Sequence, residues 1–200
     1  MTWEEYQVAL NEDPDSKTSE WKSKMKQKKF QDNCLTKIYQ KPQKGKVDLM
    51  RLECEMQNVD PHKLWQYVID PPRTPMIKEA KSYNRVGEHQ VDFYMQMKIP
   101  LMSARDNIVR VNRHPITDDS YYITCATIDD PNEPPRKGVI RMFSTMQGYI
   151  RPSPTTPGNY IYTEISTFDM KGSMPVKLLN MSLASEGAKE MRSICKFMQK

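Results

Sequence analysis

An α+β fold, in which a curved antiparallel sheet is closed by one long C-terminal helix, is what the sequence predicts. Three observations carry that expectation. Segments 97–106, 134–141 and 169–175 are turns bearing Arg or Asp between runs that alternate like strands. From residue 77 to 168 such runs succeed one another with turn residues at every join. After Pro175 the period changes: Val176, Leu179, Leu183, Gly187, Met191, Ile194 and Met198 recur at intervals of three and four, one apolar stripe along a helix.

The 200 residues fit one domain able to bury its own core, read as residues 1–200 with a helical N-terminal extension over 1–19. A formal net charge of +5, spread along the chain, falls short of the clustered excess of a nucleic-acid binder, so no nucleic-acid partner is expected. Cys34, Cys54, Cys125 and Cys195 show no C-x-x-C spacing and read as free thiols of a reducing, cytoplasmic compartment. No apolar run approaches the roughly 20 residues that span a bilayer, which leaves transient peripheral membrane contact. The 15 methionines are an excess of a flexible side chain that adapts to irregular apolar surfaces.

In chain order, Trp3, Tyr6 and Leu10 have helical spacing, and a lysine-rich run follows over 22–29. That run reads either as a solvated face or as an attraction to acidic headgroups worth about 1 kcal/mol per Lys. Residues 35–40 and 47–56 alternate and flank a Gln43-Lys44-Gly45 turn, a hairpin pattern. Asp60-Pro61 supplies the start of a helix carrying Leu64, Trp65, Val68 and Ile69, ended by Pro71-Pro72. Strands follow at 77–83, 89–99, 107–112, 121–128, 139–146 and 160–168. The clearest places Val91, Phe93, Met95, Met97 and Ile99 on a buried face and Asp92, Tyr94, Gln96 and Lys98 on a wet one. The final helix, of about 24 residues and roughly 36 Å, is long enough to lie across the sheet. Gly187 within its stripe costs up to about 1 kcal/mol against Ala, so something packs close there or the helix yields.

These residues resemble a known family. The short helix with Trp65, the strand end Lys98-Ile-Pro-Leu-Met-Ser-Ala-Arg105-Asp106, the strand entry Pro134-Pro-Arg-Lys-Gly-Val-Ile-Arg141, Gln147-Gly-Tyr149, and Asp169-Met-Lys-Gly-Ser-Met-Pro175 occur in the order of a StAR-related lipid-transfer (START) domain over roughly residues 20–200. Within that family the chain is similar to the phosphatidylcholine-transfer-protein branch. The resemblance implies a helix-grip fold, a sheet wrapped around the C-terminal helix enclosing a tunnel for one lipid.

Carried over residue by residue, the resemblance implies a lipid-binding lining of Val91, Phe93, Met95, Met97, Asn107, Val109, Val111, Thr145, Gln147, Ile165, Thr167 and Met181. The loop Ile99-Pro-Leu101-Met102-Ser103 becomes a gate that touches the membrane, with Gly187 as the yielding point of the helix and Arg105-Asp106 as an anchor. The aromatic cage of the choline-binding relatives falls at Met95, Asn107 and Thr145, none aromatic, so cation–π recognition of choline is missing. Arg73 is left as a phosphate grip through a charge-assisted fork. Val111 stands where sterol-carrying relatives place an Arg.

No enzyme is expected. His62, His89 and His114 are remote from any nucleophile motif, and no H-x-x-x-H, C-x-x-C or phosphate loop occurs, so neither cofactor nor metal is implied. Asp118-Asp119 and Asp129-Asp130 sit in turns, where Asp is favoured anyway. The function expected is monomeric lipid binding and transfer, with a glycerophospholipid as leading ligand. The alternatives are a fatty acid or sterol carrier, or a lipid sensor without transfer.

Overall fold

The computed structural model describes residues 3–30, 34–70, 77–98 and 103–199. In chain order the elements are α1 (Trp3–Asn11), β1 (Lys22–Phe30), β2 (Cys34–Lys41), β3 (Leu49–Gln57), α2 (His62–Ile69), β4 (Ile77–Val86), β5 (Gln90–Met97), β6 (Ala104–Thr117), β7 (Ser120–Thr127), β8 (Val139–Arg141), β9 (Phe143–Pro152), β10 (Asn159–Asp169) and α3 (Val176–Met198). The sheet runs β1-β2-β3-β10-β9-β7-β6-β5-β4, antiparallel throughout, with the short β8 added in parallel to the start of β6. The expected sheet closed by a C-terminal helix is therefore the fold, with two departures. The single strand expected over 139–146 is split between β8 and β9, and the lysine-rich run is the edge strand β1. Lysines on an edge strand keep another chain from pairing with it.

Helix α3 lies against β1, β2, β3 and α2, burying Leu179, Leu183, Gly187, Met191, Ile194, Cys195 and Met198. Glycine at 187 permits close packing, since a Cβ there would stand 2.8 Å from both Leu52 Cδ2 and Met50 Sδ of β3, side-chain ends that would have to shift. Close packing is thus the reason for that glycine. At the start of α2, the Tyr121 hydroxyl donates to the Pro61 carbonyl at 2.6 Å and accepts the Trp65 N–H at 3.1 Å, serving helix-end groups that no capping side chain reaches.

Helix α1 is docked on the opposite, convex face, where Tyr6 and Ala9 pack with Trp21, Tyr39 and Ile165. Its Ala9 and Leu10 carbonyls, and that of Glu12 just past its end, accept from the buried Arg51 guanidinium at 2.7, 3.2 and 3.0 Å, a cation closing the negative end of a helix. The expected wet face of β5 is in fact covered. Asp92 is held by a fork from Arg110 at 2.8 and 3.0 Å, and the Arg136 guanidinium lies 4.5 Å above the Tyr94 ring while bonding Glu79 and Glu133. A loop of charges on aromatic faces replaces solvent there, so both sides of β5 are buried.

Candidate lipid-binding site

Cross-strand pairing sorts the side chains of the central strands. On β5 and β6, Val91 pairs with Val111, Phe93 with Val109, Met95 with Asn107 and Met97 with Arg105, and these point to the concave face beneath α3. Val91, Phe93, Val109 and Val111 are core residues, whereas Met95 and Met97 are only partly covered. Asn107 is buried and engaged through both amide atoms: its nitrogen donates to Ser144 Oγ at 2.7 Å and its carbonyl accepts from Thr127 Oγ1 at 2.9 Å.

On β9 and β10 the expected lining is out of phase by one residue. The concave face carries Ser144, Met146, Gly148 and Ile150 paired with Phe168, Ser166, Glu164 and Tyr162. Thr145, Gln147, Ile165 and Thr167 therefore face the convex side, Ile165 beneath α1 and Thr145 and Thr167 beside an open groove there. A slip of one residue moves a whole strand's side chains to the other face. Met181 is corrected likewise: it is 71% exposed, two residues from both Leu179 and Leu183 and so on the opposite side of α3 from them. Gly187 is a packing contact and reaches no lining. Arg73, Ile99, Leu101 and Met102 lie outside the described residues.

The concave face also holds acids that the sequence reading missed. Glu164 is buried there, accepting the Tyr162 hydroxyl at 2.8 Å. The Tyr162 ring lies over Gly148, where a Cβ would stand 2.9 Å from the ring, so Gly148 makes room for that hydrogen bond. Facing it from α3 is Glu190, three residues after Gly187 and four before Ile194, which is stripe spacing. Glu190 lies deep within the molecule and yet presents much of its surface to open space. A side chain lining an interior space has both properties. Cys125 has the same character, deep but only partly covered.

With Met95, Met97, Met146 and Phe168, all partly covered beside the core, these residues give the region beneath α3 apolar walls and an acidic spot. Repulsion from Glu164, then burial, pushes the Glu190 carboxyl well above its ordinary 4.5, and burial raises Glu164. Tyr67 of α2, which touches Ser193, feels both acids and is pushed up to about 12, chiefly by burial.

Two fastenings hold the end of this space where α3 begins. Arg105, buried, donates to the Ser103 carbonyl at 2.6 Å and to the Met170 carbonyl at 3.5 Å, joining the segment before β6 to the segment before α3. Its neighbour Asp106 points the other way, into a fork from Arg141 at 2.7 and 3.1 Å. Asn180 on α3 is bonded to the turn between β2 and β3 through Asp48, and its carbonyl accepts from Gln40 at 2.9 Å. The start of α3 has neither a side-chain cap nor an acidic residue in its first turn. Next to it a groove of about 1000 Å³ opens between α1, the β2–β3 turn and residues 168–176. No described helix is long and apolar enough to cross a membrane.

The fold is shared with known proteins. Human STARD10 superimposes with a TM-score of 0.72 at 20% identity, over 96% of this chain and 78% of that one. Human StAR-related lipid transfer protein 5 gives 0.72 at 14%, over 98% and 92%. A StAR-related lipid transfer protein fragment from Xanthomonas axonopodis gives 0.72 at 17%, over 89% and 99%. In sequence, START domain-containing protein 10 of mouse and of human is 35% identical over 78 residues, 38% of this chain. That match spans 26% of the length of those relatives. The START domain family profile matches residues 2–200, α1 included, and the chain belongs to the START domain family.

Proposed function

We propose that this protein binds one lipid molecule between the concave face of the sheet and α3 and transfers it between membranes, with no enzymatic step. The observation that carries this is the interior space itself: Met95, Cys125, Met146 and Glu190 are deep or core-facing side chains that remain partly uncovered. An acyl chain in water costs about 0.8 kcal/mol per CH₂, and an apolar interior removes that cost.

The leading ligand is a glycerophospholipid, supported by the resemblance to the phosphatidylcholine-transfer branch. The acids Glu164 and Glu190 narrow it to a head that donates hydrogen bonds or carries positive charge, as an amine does. They also favour a second reading, a sterol, whose hydroxyl can donate to either carboxyl. A fatty acid fits less well, because its own carboxylate would add a third acid to a pair that already repel each other when ionised.

Membrane contact is proposed at the start of α3. Leu178 and Met181 are 59% and 71% exposed there, and the exposed Lys24, Lys46 and Lys177 border the same face. Apolar tips within a basic rim suit an anionic lipid surface. Free thiols fit the reducing cytoplasm as the place of action.

Native mass spectrometry of the purified protein tests the binding, since a retained adduct reports ligand mass. Fluorescent-lipid exchange between two vesicle populations tests the transfer. Adducts of phospholipid mass and accelerated exchange are expected. Binding with exchange at the spontaneous rate would make the protein a sensor, and no lipid from cell extract or liposomes would sink the reading.

A further inference from the structure

At the far end of α3 from the membrane-contact face, three thiols from three elements converge. Cys34 opens β2, Cys54 lies on the same face of β3, and Cys195 sits three residues before the end of α3. Their sulfur atoms all lie within 4.8 Å of one another, with 3.5 Å between Cys54 and Cys195. All three are excluded from solvent, as are Met56, which pairs with Cys34 across the strands, and Met191 and Met198, one turn either side of Cys195. The lipid-binding reading uses none of these thiols.

We propose that Cys34, Cys54 and Cys195 form a three-sulfur site for a soft monovalent d¹⁰ metal ion of the copper(I) type, which fastens the C-terminal end of α3 to β2 and β3. Ligand chemistry and number decide the ion. Thiolate sulfur selects copper(I), zinc or iron–sulfur clusters among biological metals. Zinc in a closed site takes four ligands, and no fourth Cys, His, Asp or Glu joins the group among the described residues. The Thr36 hydroxyl, 3.4 Å from Cys54 Sγ, is already its hydrogen-bond partner. Three sulfurs around one ion at about 2.3 Å stand roughly 4 Å apart, which the present spacing meets with sub-ångström movement.

The charge balance is acceptable for an apolar surrounding. One copper(I) ion enters, two thiol protons leave to solvent, and the third thiol coordinates through a sulfur lone pair, leaving one net negative charge on the site. A divalent ion left three-coordinate in the same place would lack its fourth ligand.

The test is an anaerobic titration of the full chain, kept reduced, with copper(I) against a chromophoric copper(I) chelator. One ion per chain is expected, with a rise in Tm on loading. Cys195→Ser and Cys54→Ser should each weaken binding at least about 100-fold, while Cys125→Ser leaves it unchanged. X-ray absorption of the loaded wild-type protein should count three sulfur neighbours, a readout that needs no variant to fold. No uptake against the chelator, uptake undiminished in Cys195→Ser, a shell of nitrogen or oxygen, or preferential binding of zinc would each overturn the assignment.

Discussion

Asn180 and Asp48 bond each other twice: the Asp48 N–H donates to Asn180 Oδ1 at 2.9 Å, and Asn180 Nδ2 returns to Asp48 Oδ1 at 2.8 Å. One side chain thus satisfies a turn and ties the second turn of α3 to it. Because α3 starts without a cap, this pair and the Gln40 bond add hydrogen bonds to the burial of Leu179 and Leu183 in holding its N-terminal half to the sheet. Asn180→Ala is expected to cost about 1–2 kcal/mol, two partly buried hydrogen bonds less their exchange with water. The diagnostic readout is local: amide exchange over 176–183 should accelerate more than over 188–198. Equal acceleration at both ends would mean that the pair does not act as a latch.

Arg105→Ala tests the second fastening. It leaves the Ser103 and Met170 carbonyls without their donor, at about 1–3 kcal/mol, and should quicken exchange in residues 169–175. Lipid exchange between vesicles should become faster if these segments limit opening. An unchanged exchange rate with lower stability would confine Arg105 to a structural role.

The acids facing one another give a pH dependence whose sign is fixed. Glu164 and Glu190 bind protons more tightly in the folded protein than in the unfolded chain, where the ordinary value is near 4.5. The native state therefore holds more protons above that pH, and stability falls as pH rises from about 4.5 through the raised values. Carboxyls held low, such as Asp15 beside Lys37 and Asp169 beside Lys171, act in the opposite direction below about pH 4, and all are surface groups. Glu190→Gln should flatten the upper limb and raise Tm at neutral pH. A steeper limb in that variant would show that Glu190 is ionised and paired in the native protein.

The sheet and closing helix were legible because alternation and the three-four stripe are strong signals in β5, β6 and α3. Faces on β9 and β10 were not. There Tyr162 and Glu164 occupy the concave face while Ile165 packs under α1, so apolar residues fall on both sides and period two no longer marks the core. The lysine-rich β1 hid for a different reason: Lys22, Lys24, Lys26 and Lys28 do alternate, but with Ser23, Met25 and Gln27, so Met25 alone marks an apolar face among them. Glu190 was visible in principle, as an acid at stripe spacing.

Gly187 allows a test of packing against yielding. Ala there gains about 1 kcal/mol of helix propensity, offset by contacts that only side-chain ends must relieve, so Tm should move little. Leu drives several more atoms into Leu52 and Met50 and should cost about 1–3 kcal/mol. If Gly187→Ala slows lipid exchange without changing Tm, the glycine serves as a hinge as well.

The face assignment itself is tested by neighbouring residues on β9. Met146 points to the interior space, diagonal to Glu164, where an arginine would fill the room for a lipid and pair with the acidic spot of Glu164 and Glu190. Thr145, its neighbour, points to the groove bordered by Glu4, Glu5 and Glu12, where an arginine finds water and acids. Met146→Arg should lose lipid loading, measured per folded molecule by native mass spectrometry, while Thr145→Arg loads normally. Met146→Leu, similar in volume, separates loss of space from loss of fold and should load like the wild type. The reverse pattern, loading lost with Thr145→Arg and kept with Met146→Arg, would place the ligand in the groove beside α1 instead of under α3.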